Sequence, residues 1–351
     1  MGLQDRALSY PAVIKPQDLL CPKPGGLYCP PGDFYIDPVR PVDRAVITHG
    51  HSDHARAGHG TVLATPQTLA IMAERYGEDF AVVGRQPLAY GESVTINGVE
   101  VSLVPAGHVL GSAQAVVRWK GVTIVVSGDY KRRRDPTCAA FEPTPCDVFV
   151  TEATFGLPVF RHPDDAGEIA ALLKSVAQFP DRAHIVGAYA LGKAQRVIKL
   201  LREAGWDRTI HVHGAMERLN RLYEVHGVDL GPLAPATTER GKAGDFAGGI
   251  IVAPPSALAD RWSRRFPDPV DCFASGWMRV RARARQRGVE LPLIISDHAD
   301  WDELTDTLSE LRPGEVWITH GREEALERWC ELEGIPARAL RLVGYDEEDG
   351  E

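Results

Sequence analysis

Residues 49 to 54 read His-Gly-His-Ser-Asp-His. Three imidazoles and a carboxylate in six positions can place nitrogen and oxygen ligands around two metal ions at once. His49 and His51 alternate, so on an extended segment both point to the same side. Asp53 and His54 follow in the next turn and can face a second ion close by. A His-rich surface turn is the plain alternative. Against it stands the preceding run 44–48, Arg-Ala-Val-Ile-Thr, which reads as a buried strand that ends where the ligands begin.

Further residues of ligand or acid–base type follow predicted strands in order. Asp37 lies ahead of the string, in Tyr35-Ile36-Asp37-Pro38. His108 follows the apolar alternation Val99, Val101, Leu103, and Asp129 follows the buried run 122–126 in Ser127-Gly128-Asp129-Tyr130. Glu152 comes after a strand at 147–150, in Thr151-Glu152-Ala153-Thr154-Phe155-Gly156. His298 comes after 291–295, in Ser296-Asp297-His298-Ala299-Asp300, and His320 after 315–318, in Thr319-His320-Gly321-Arg322. The first elements resemble the His-x-His-x-Asp-His signature of the metallo-β-lactamase superfamily. The last three look like motifs A, B and C of its β-CASP group, the nucleases of DNA and RNA. The resemblance covers nearly the whole chain.

That resemblance implies an α/β fold, a metallo-β-lactamase αββα sandwich with an inserted α/β β-CASP cap. It implies that His49, His51 and His108 hold one metal, that Asp53, His54 and His320 hold the other, and that Asp129 bridges them. Asp37 would brace the ligand loop. Phosphodiester hydrolysis needs such a set because water is a weak nucleophile and the phosphate is an anion. Two ions about 3.5–4 Å apart activate the water and neutralise the charge that builds on the phosphoryl oxygens. Asp53 would belong to the catalytic set, and His298 would serve as general acid, oriented by Glu152 with its pKa raised. The plain alternative for His298 is a core histidine at a strand end. Five His and two Asp suit Zn²⁺, with Mn²⁺ as the alternative.

The net charge of −9 sits awkwardly with a nucleic-acid substrate. Binding, however, depends on the local patch. From 261 to 288 there are eight arginines and two aspartates, a local +6. Arg279, Arg281, Arg283, Arg285 and Arg287 alternate, and on a strand they would line one face at the spacing of successive phosphates. On a helix they would spread around the cylinder, and a solvated charged face is the plain alternative. Lys131 and Arg132, in the cluster Lys131-Arg132-Arg133-Arg134, lie close enough to Asp129 to be further substrate contacts.

At 351 residues the chain is long enough for two lobes, with no apolar run of 18 and no secretory leader pattern at its start. Six scattered cysteines read as buried reduced thiols, and the expected compartment is the cytoplasm. The motifs pause after Glu152 and resume at His298. Between them 164–178 reads as a helix, 184–189 as a strand, and 192–198 as a helix start resembling that of β-CASP insertions. Strands follow at 209–213, 250–253 and 270–274, an alternation that implies a largely parallel sheet. The expected division is a core of 1–166 and 291–351 around a cap of 167–290. Pro- and Gly-rich stretches at 231–249 would be surface loops and the acidic tail 346–351 disordered. His211 and His213 imitate His49 and His51 but lack a carboxylate in register, so a structural or substrate-contacting role is expected rather than a third metal.

Four further strings bear on the substrate: Gly26-Leu27-Tyr28-Cys29, Phe155-Gly156-Leu157-Pro158, Gly276-Trp277-Met278 and Ser296-Asp297-His298-Ala299-Asp300-Trp301. Together they resemble compact bacterial DNA-ligase-associated exonucleases, which carry no extra RNA-binding domain. That favours DNA, a role in repair, and DNA ligase and helicase partners, with no membrane. His320 at motif C, as in the RNA-cleaving members, keeps an RNA-processing ribonuclease open. Thioesterases and lactonases of the same fold share the ligand string but generally lack the cap and motifs A to C. A scaffold without catalysis conflicts with the complete ligand set.

Overall fold

Alternation of burial along the strands sets the layers. In Val122–Val126, Ile124 and Val126 pack to one side and Val125 to the other. In the neighbouring Val148–Ala153, Val148 and Val150 face the first side and Phe149 the second. Each such side chain withdraws apolar surface worth about 1.5–3 kcal/mol, so a one-residue slip that inverts every face is strongly disfavoured. The computed structural model describes residues 14–236 and 246–340, and three sheets organise them.

The first sheet takes its six strands in chain order: Cys21–Lys23, Gly26–Cys29, Phe34–Ile36, Arg44–Val46, His59–Ala64 and Ala81–Pro87. The second runs Ala337–Ala339, Glu315–Gly321, Val148–Ala153, Val122–Val126, Ala113–Trp119, Val99–Pro105, Ser93–Ile96. Leu27, Phe34, Ile36, Val46 and Leu63 of the first meet Val101, Leu103, Ala115, Val117 and Ile124 of the second in one core. Helix Pro66–Tyr76 covers the outer face of the first sheet through Leu69 and Met72. Helices Trp301–Leu311 and Glu323–Glu333 cover the second through Leu304, Leu308, Leu326 and Cys330. This is the expected αββα sandwich.

The third sheet is parallel throughout, in the order Leu233–Pro235, Ile210–Val212, Ile250–Ala253, His184–Gly187, Val270–Ala274, Leu291–Leu293. Helices Asp165–Gln178, Lys193–Glu203 and Gly214–Val225 bury Leu172, Val197, Ile198 and Met216 on one face. Asp164 caps the first of these by accepting from Ala166 N. The run from 291, expected to be a core strand, instead forms the edge of this sheet beside Val270–Ala274. At the neck of the insertion Ile294 N donates to Glu168 Oε2 at 2.7 Å. The stretch 231–249 contains the short strand Leu233–Pro235 rather than loop alone; its positions 237–245, and the tail 346–351, lie outside the described residues. All six cysteines are unpaired, three of them buried and three half-buried. Among the described residues no helix is long and apolar enough to cross a membrane.

Candidate metal centre

The strand Arg44–Val46 ends with two residues, Ile47 and Thr48, between it and His49, and the string 49–54 forms the turn beyond it. Asp37 fixes that turn. Its carboxylate accepts from Thr48 N at 2.8 Å, from Thr48 Oγ1 at 2.6 Å and from His54 Nδ1 at 2.9 Å. Its own backbone is left-handed, φ 43°, a conformation that costs a non-glycine residue about 1–3 kcal/mol and that these hydrogen bonds hold in place. Opposite, Gly128 at φ 57° lets the chain pass so close that a Cβ there would lie 2.6 Å from Thr48 Oγ1. Asp129 is thereby pressed toward the ligand turn.

Five imidazoles share one arrangement: one ring nitrogen meets an oxygen acceptor and the other turns inward. His49 Nδ1 lies 3.1 Å from Thr48 Oγ1, His54 Nδ1 meets Asp37, and His108 Nδ1 lies 2.8 Å from the Asp297 carbonyl. His51 Nε2 lies 3.3 Å from the Leu191 carbonyl and His320 Nδ1 2.9 Å from Thr319 Oγ1. Such outer partners fix the tautomer and aim the free nitrogen at a metal. The inward nitrogens converge on Asp129. Its Oδ2 is 3.3 Å from His49 Nε2, 3.5 Å from His54 Nε2 and 3.7 Å from His108 Nε2, and its Oδ1 is 3.2 Å from His320 Nε2. His51 Nδ1 and His108 Nε2 meet at 3.0 Å. Two inward lone pairs that close require a proton or a cation between them. His49, His51, His108 and Asp129 form one group able to hold an ion, and His54, Asp129 and His320 a second.

Asp53 stands at the rim, 28% exposed, with Oδ2 3.5 Å from His54 Nε2. Burial and the charge of His54 push His49 well below its ordinary pKa. Burial, His298 and His51 push His108 down to about 4. His54 goes the other way: burial opposes its charge, but Asp129, Asp53 and Asp37 outweigh that and raise it to about 10. Burial likewise opposes the Asp129 carboxylate, and His54, His298 and His49 overcome it and hold the carboxyl well below the usual range. With no ion bound, the centre gathers positive charge around one carboxylate, the place a divalent cation would take, and ion binding would have to displace the proton from His54. The residues present fit two such ions.

Behind this cluster, His298 Nδ1 lies 3.0 Å from Glu152 Oε2, and Glu152 Oε1 accepts from Tyr130 N at 2.9 Å. The His298 and His108 rings are 4.7 Å apart. Glu152 and His298 thus stand together beside Asp129, in a group whose ligand-type atoms lie within 4.8 Å of one another.

Several expected substrate contacts are placed otherwise. Lys131 is buried; its Nζ donates to Glu303 Oε2 at 2.9 Å and to the His298 carbonyl at 3.1 Å. Burial would raise the Glu303 carboxyl, but Lys131 and Arg133 outweigh it and hold it down to about 2. Lys131 supports the His298 backbone and offers no free charge. Arg132 reaches Glu310 at 2.5 Å on the outer helix. The arginine row is not a strand: Gly276–Arg279 is a 3₁₀ turn and Arg281–Gln286 an α-helix. Arg283 and Arg287, one turn apart, fold back over the rings of Trp277 and Phe273 at 4.1 and 4.9 Å. Arg279 turns to the Val159 carbonyl at 3.5 Å, and Arg281 and Arg285, also one turn apart, remain exposed.

His211 packs against Phe246, and His213 against Trp262, with its Nδ1 accepting from Ala215 N as the cap of helix Gly214–Val225. Neither joins a ligand group among the described residues. A residue that ligand spacing alone does not flag is Lys193, whose buried Nζ lies 3.0 Å from Asp297 Oδ1. Burial opposes the Asp297 charge, but Lys193 outweighs it and holds that carboxyl far below its ordinary value. The signal for it was the Gly192-Lys193-Ala194-Gln195 helix start.

Residues 37–185 match the family model described as the metallo-beta-lactamase superfamily. The chain is 27% identical over 323 residues to a "Probable DNA ligase" of Opitutus terrae, which covers 87% of this chain and 30% of that protein. It is 29% identical to "Endoribonuclease YSH1" of Gibberella zeae over 48% of this chain and 25% of that protein. It is 23% identical to "Cleavage and polyadenylation specificity factor subunit 3-I" of Arabidopsis thaliana over 84% of this chain and 54% of that one. The matched regions thus span between a quarter and about half of these relatives. A crystal structure of a protein of unknown function from Enterococcus faecalis V583 superposes with a TM-score of 0.58 at 15% identity, over 86% of this chain and 80% of that one. Residues 37–185 thus carry a metallo-β-lactamase domain, and the sandwich, the imidazole cluster, the inserted parallel sheet and these likenesses make the chain as a whole similar to the β-CASP nucleases.

Proposed function

We propose that this protein is a two-metal phosphodiesterase that degrades DNA as an exonuclease, in repair alongside a DNA ligase. The observation that carries the chemistry is the convergence of four imidazole nitrogens on the two oxygens of Asp129, with the fifth, His51 Nδ1, 3.0 Å from His108 Nε2. His49, His51 and His108 would hold one ion, Asp53, His54 and His320 the other, and Asp129 both; Zn²⁺ suits this donor set, with Mn²⁺ as the alternative. Bound ions would supply an activated water and neutralise the charge on the phosphoryl oxygens. Asp37 keeps the ligand turn in register. With Nδ1–H of His298 given to Glu152, the proton on Nε2 is the one passed to the leaving oxygen. The division into a core and an inserted cap belongs to the same proposal, with the cap carrying the edge strand Leu291–Leu293.

DNA is favoured because the relative that matches 87% of this chain bears the name of a DNA ligase. RNA is the second reading, since the Gibberella and Arabidopsis relatives carry names of RNA processing. Incubation with end-labelled DNA and RNA in Zn²⁺ or Mn²⁺ separates the two. Mononucleotide release from DNA is the expected result, and faster cleavage of RNA overturns the DNA assignment. Labels placed separately at each end read the polarity in the same time course.

A further inference from the structure

We propose that Lys193 is a positioning residue through which the inserted sheet holds the first metal group in shape, an inference that rests on the two-metal reading above. Segment 191–195 reaches two of the three imidazoles in that group. Leu191 offers its carbonyl directly to His51 Nε2 at 3.3 Å. Lys193 reaches His108 through one intermediary: its Nζ lies 3.0 Å from Asp297 Oδ1, and the Asp297 carbonyl lies 2.8 Å from His108 Nδ1. Lys193 and Asp297 are 3% and 2% exposed, so the pair is shielded from competing water. Gly192, between Leu191 and Lys193, has φ 86°, and a Cβ there would run into Val109 and come within 3.6 Å of Asp297 Oδ2. Gln195 fixes the bend by accepting from Gly192 N at 2.8 Å and donating to Asn220 Oδ1 at 2.7 Å.

Three other imidazoles take outer hydrogen bonds from the sandwich. His49 is held by Thr48, His54 by Asp37 and His320 by Thr319, all in the sandwich. Through segment 191–195 the insertion bears on the aim of His51 and His108. Removing the Lys193 ammonium leaves a buried carboxylate without its cation, and Asp297 must shift or take up water. Either response moves the carbonyl that orients His108. Loss of an outer partner of this kind weakens metal binding by roughly 10–100-fold. The loss should fall on one ion of the two.

The test is competition of Zn²⁺ against a chromophoric chelator on the full chain, with elemental analysis for stoichiometry. Lys193→Met is compared with Lys193→Met plus Asp297→Asn, which removes the stranded charge and keeps the chain foldable, and folding is checked by circular dichroism. In Lys193→Met one ion should bind as in the unaltered protein and the second roughly 10–100-fold more weakly, and the double variant, with no stranded charge, should recover part of that loss. Two ions bound by Lys193→Met with unchanged affinity overturn the proposal, and so does equal weakening of both, which marks a merely structural pair. Loss of metal in Asp297→Asn alone, with Lys193→Met unaffected, also overturns it, because Asp297 would then act directly. Fewer than two ions in the unaltered chain removes the two-metal reading itself, a failure seen without any substitution.

Discussion

His49 and His51 stand two residues apart, as do His211 and His213, and each pair sits at the C-terminal end of an internal parallel strand. Around the first pair stand Asp37, Asp53 and Asp129, and His54 is lifted to about 10 by their charge once burial is overcome. Around the second pair stand Phe246 and Trp262, and burial lowers both imidazoles. Spacing aims the rings in both places. Carboxylates at the right depth turn one of them into a site, and aromatic walls turn the other into packing.

The comparison breaks first at the ligands. His54→Ala should abolish cleavage and lower metal content, read by elemental analysis of the purified variant; activity equal to the unaltered protein removes the two-metal assignment. Next comes His298→Ala, which should lower turnover by roughly 10²–10⁴-fold while metal content stays whole, the scale of a lost general acid. If a metal leaves with that side chain, His298 is a ligand and the roles divided between it and His320 must be redrawn.

Smaller effects sharpen the other half. His213→Ala removes a helix cap and should cost on the order of 1 kcal/mol in urea unfolding, with cleavage and metal content untouched. The same residue gives a pH signature. Its folded pKa lies below the unfolded value of about 6.5, so neutrality favours the fold above that pH and the advantage is lost as pH falls through the folded value. His213→Asn should therefore lose less stability than the unaltered chain between pH 7 and 5; an identical pH slope would show that His213 titrates alike folded and unfolded. The smallest effect belongs to Arg281→Ala with Arg285→Ala. Substrate affinity should become less salt-dependent, the slope of log affinity against log salt falling by about 0.7–0.9 for each phosphate that no longer meets an arginine, with the saturated rate unchanged. An unaltered slope takes this helix out of the interface.

Much of this molecule can be read from local pattern. Strand Ile250–Ala253 begins and ends where its apolar run does, because both faces of a central parallel strand are buried. The ligand turn can be read because four polar side chains of one chemical kind follow a buried strand. The arginine segment misleads for a definite reason. Its period of two comes from arginine alternating with alanine, and both are strong helix formers, so propensity overrides the alternation. Lys131 misleads because charge in a sequence carries no partner, and Glu303, which neutralises it, lies 172 positions away. Lys193 is marked in the sequence by its helix start but not by its role, since Asp297 is remote in sequence and adjacent only after folding.

The hydrogen bond between Ile294 N and Glu168 Oε2 joins positions 126 apart at the neck of the insertion. Its consequence lies in the order of assembly. Strand Glu315–Gly321 must find Val148–Ala153 across the whole intervening chain before Asp129 and His320 can meet. Closing an open loop of that length is entropically costly and slow. An insertion that folds first and brings its own ends together turns that search into the closure of a short loop. The second ligand group is then the last part of the centre to form, and the time needed to become competent for metal is set by the folding of a sheet that contributes none of its ligands.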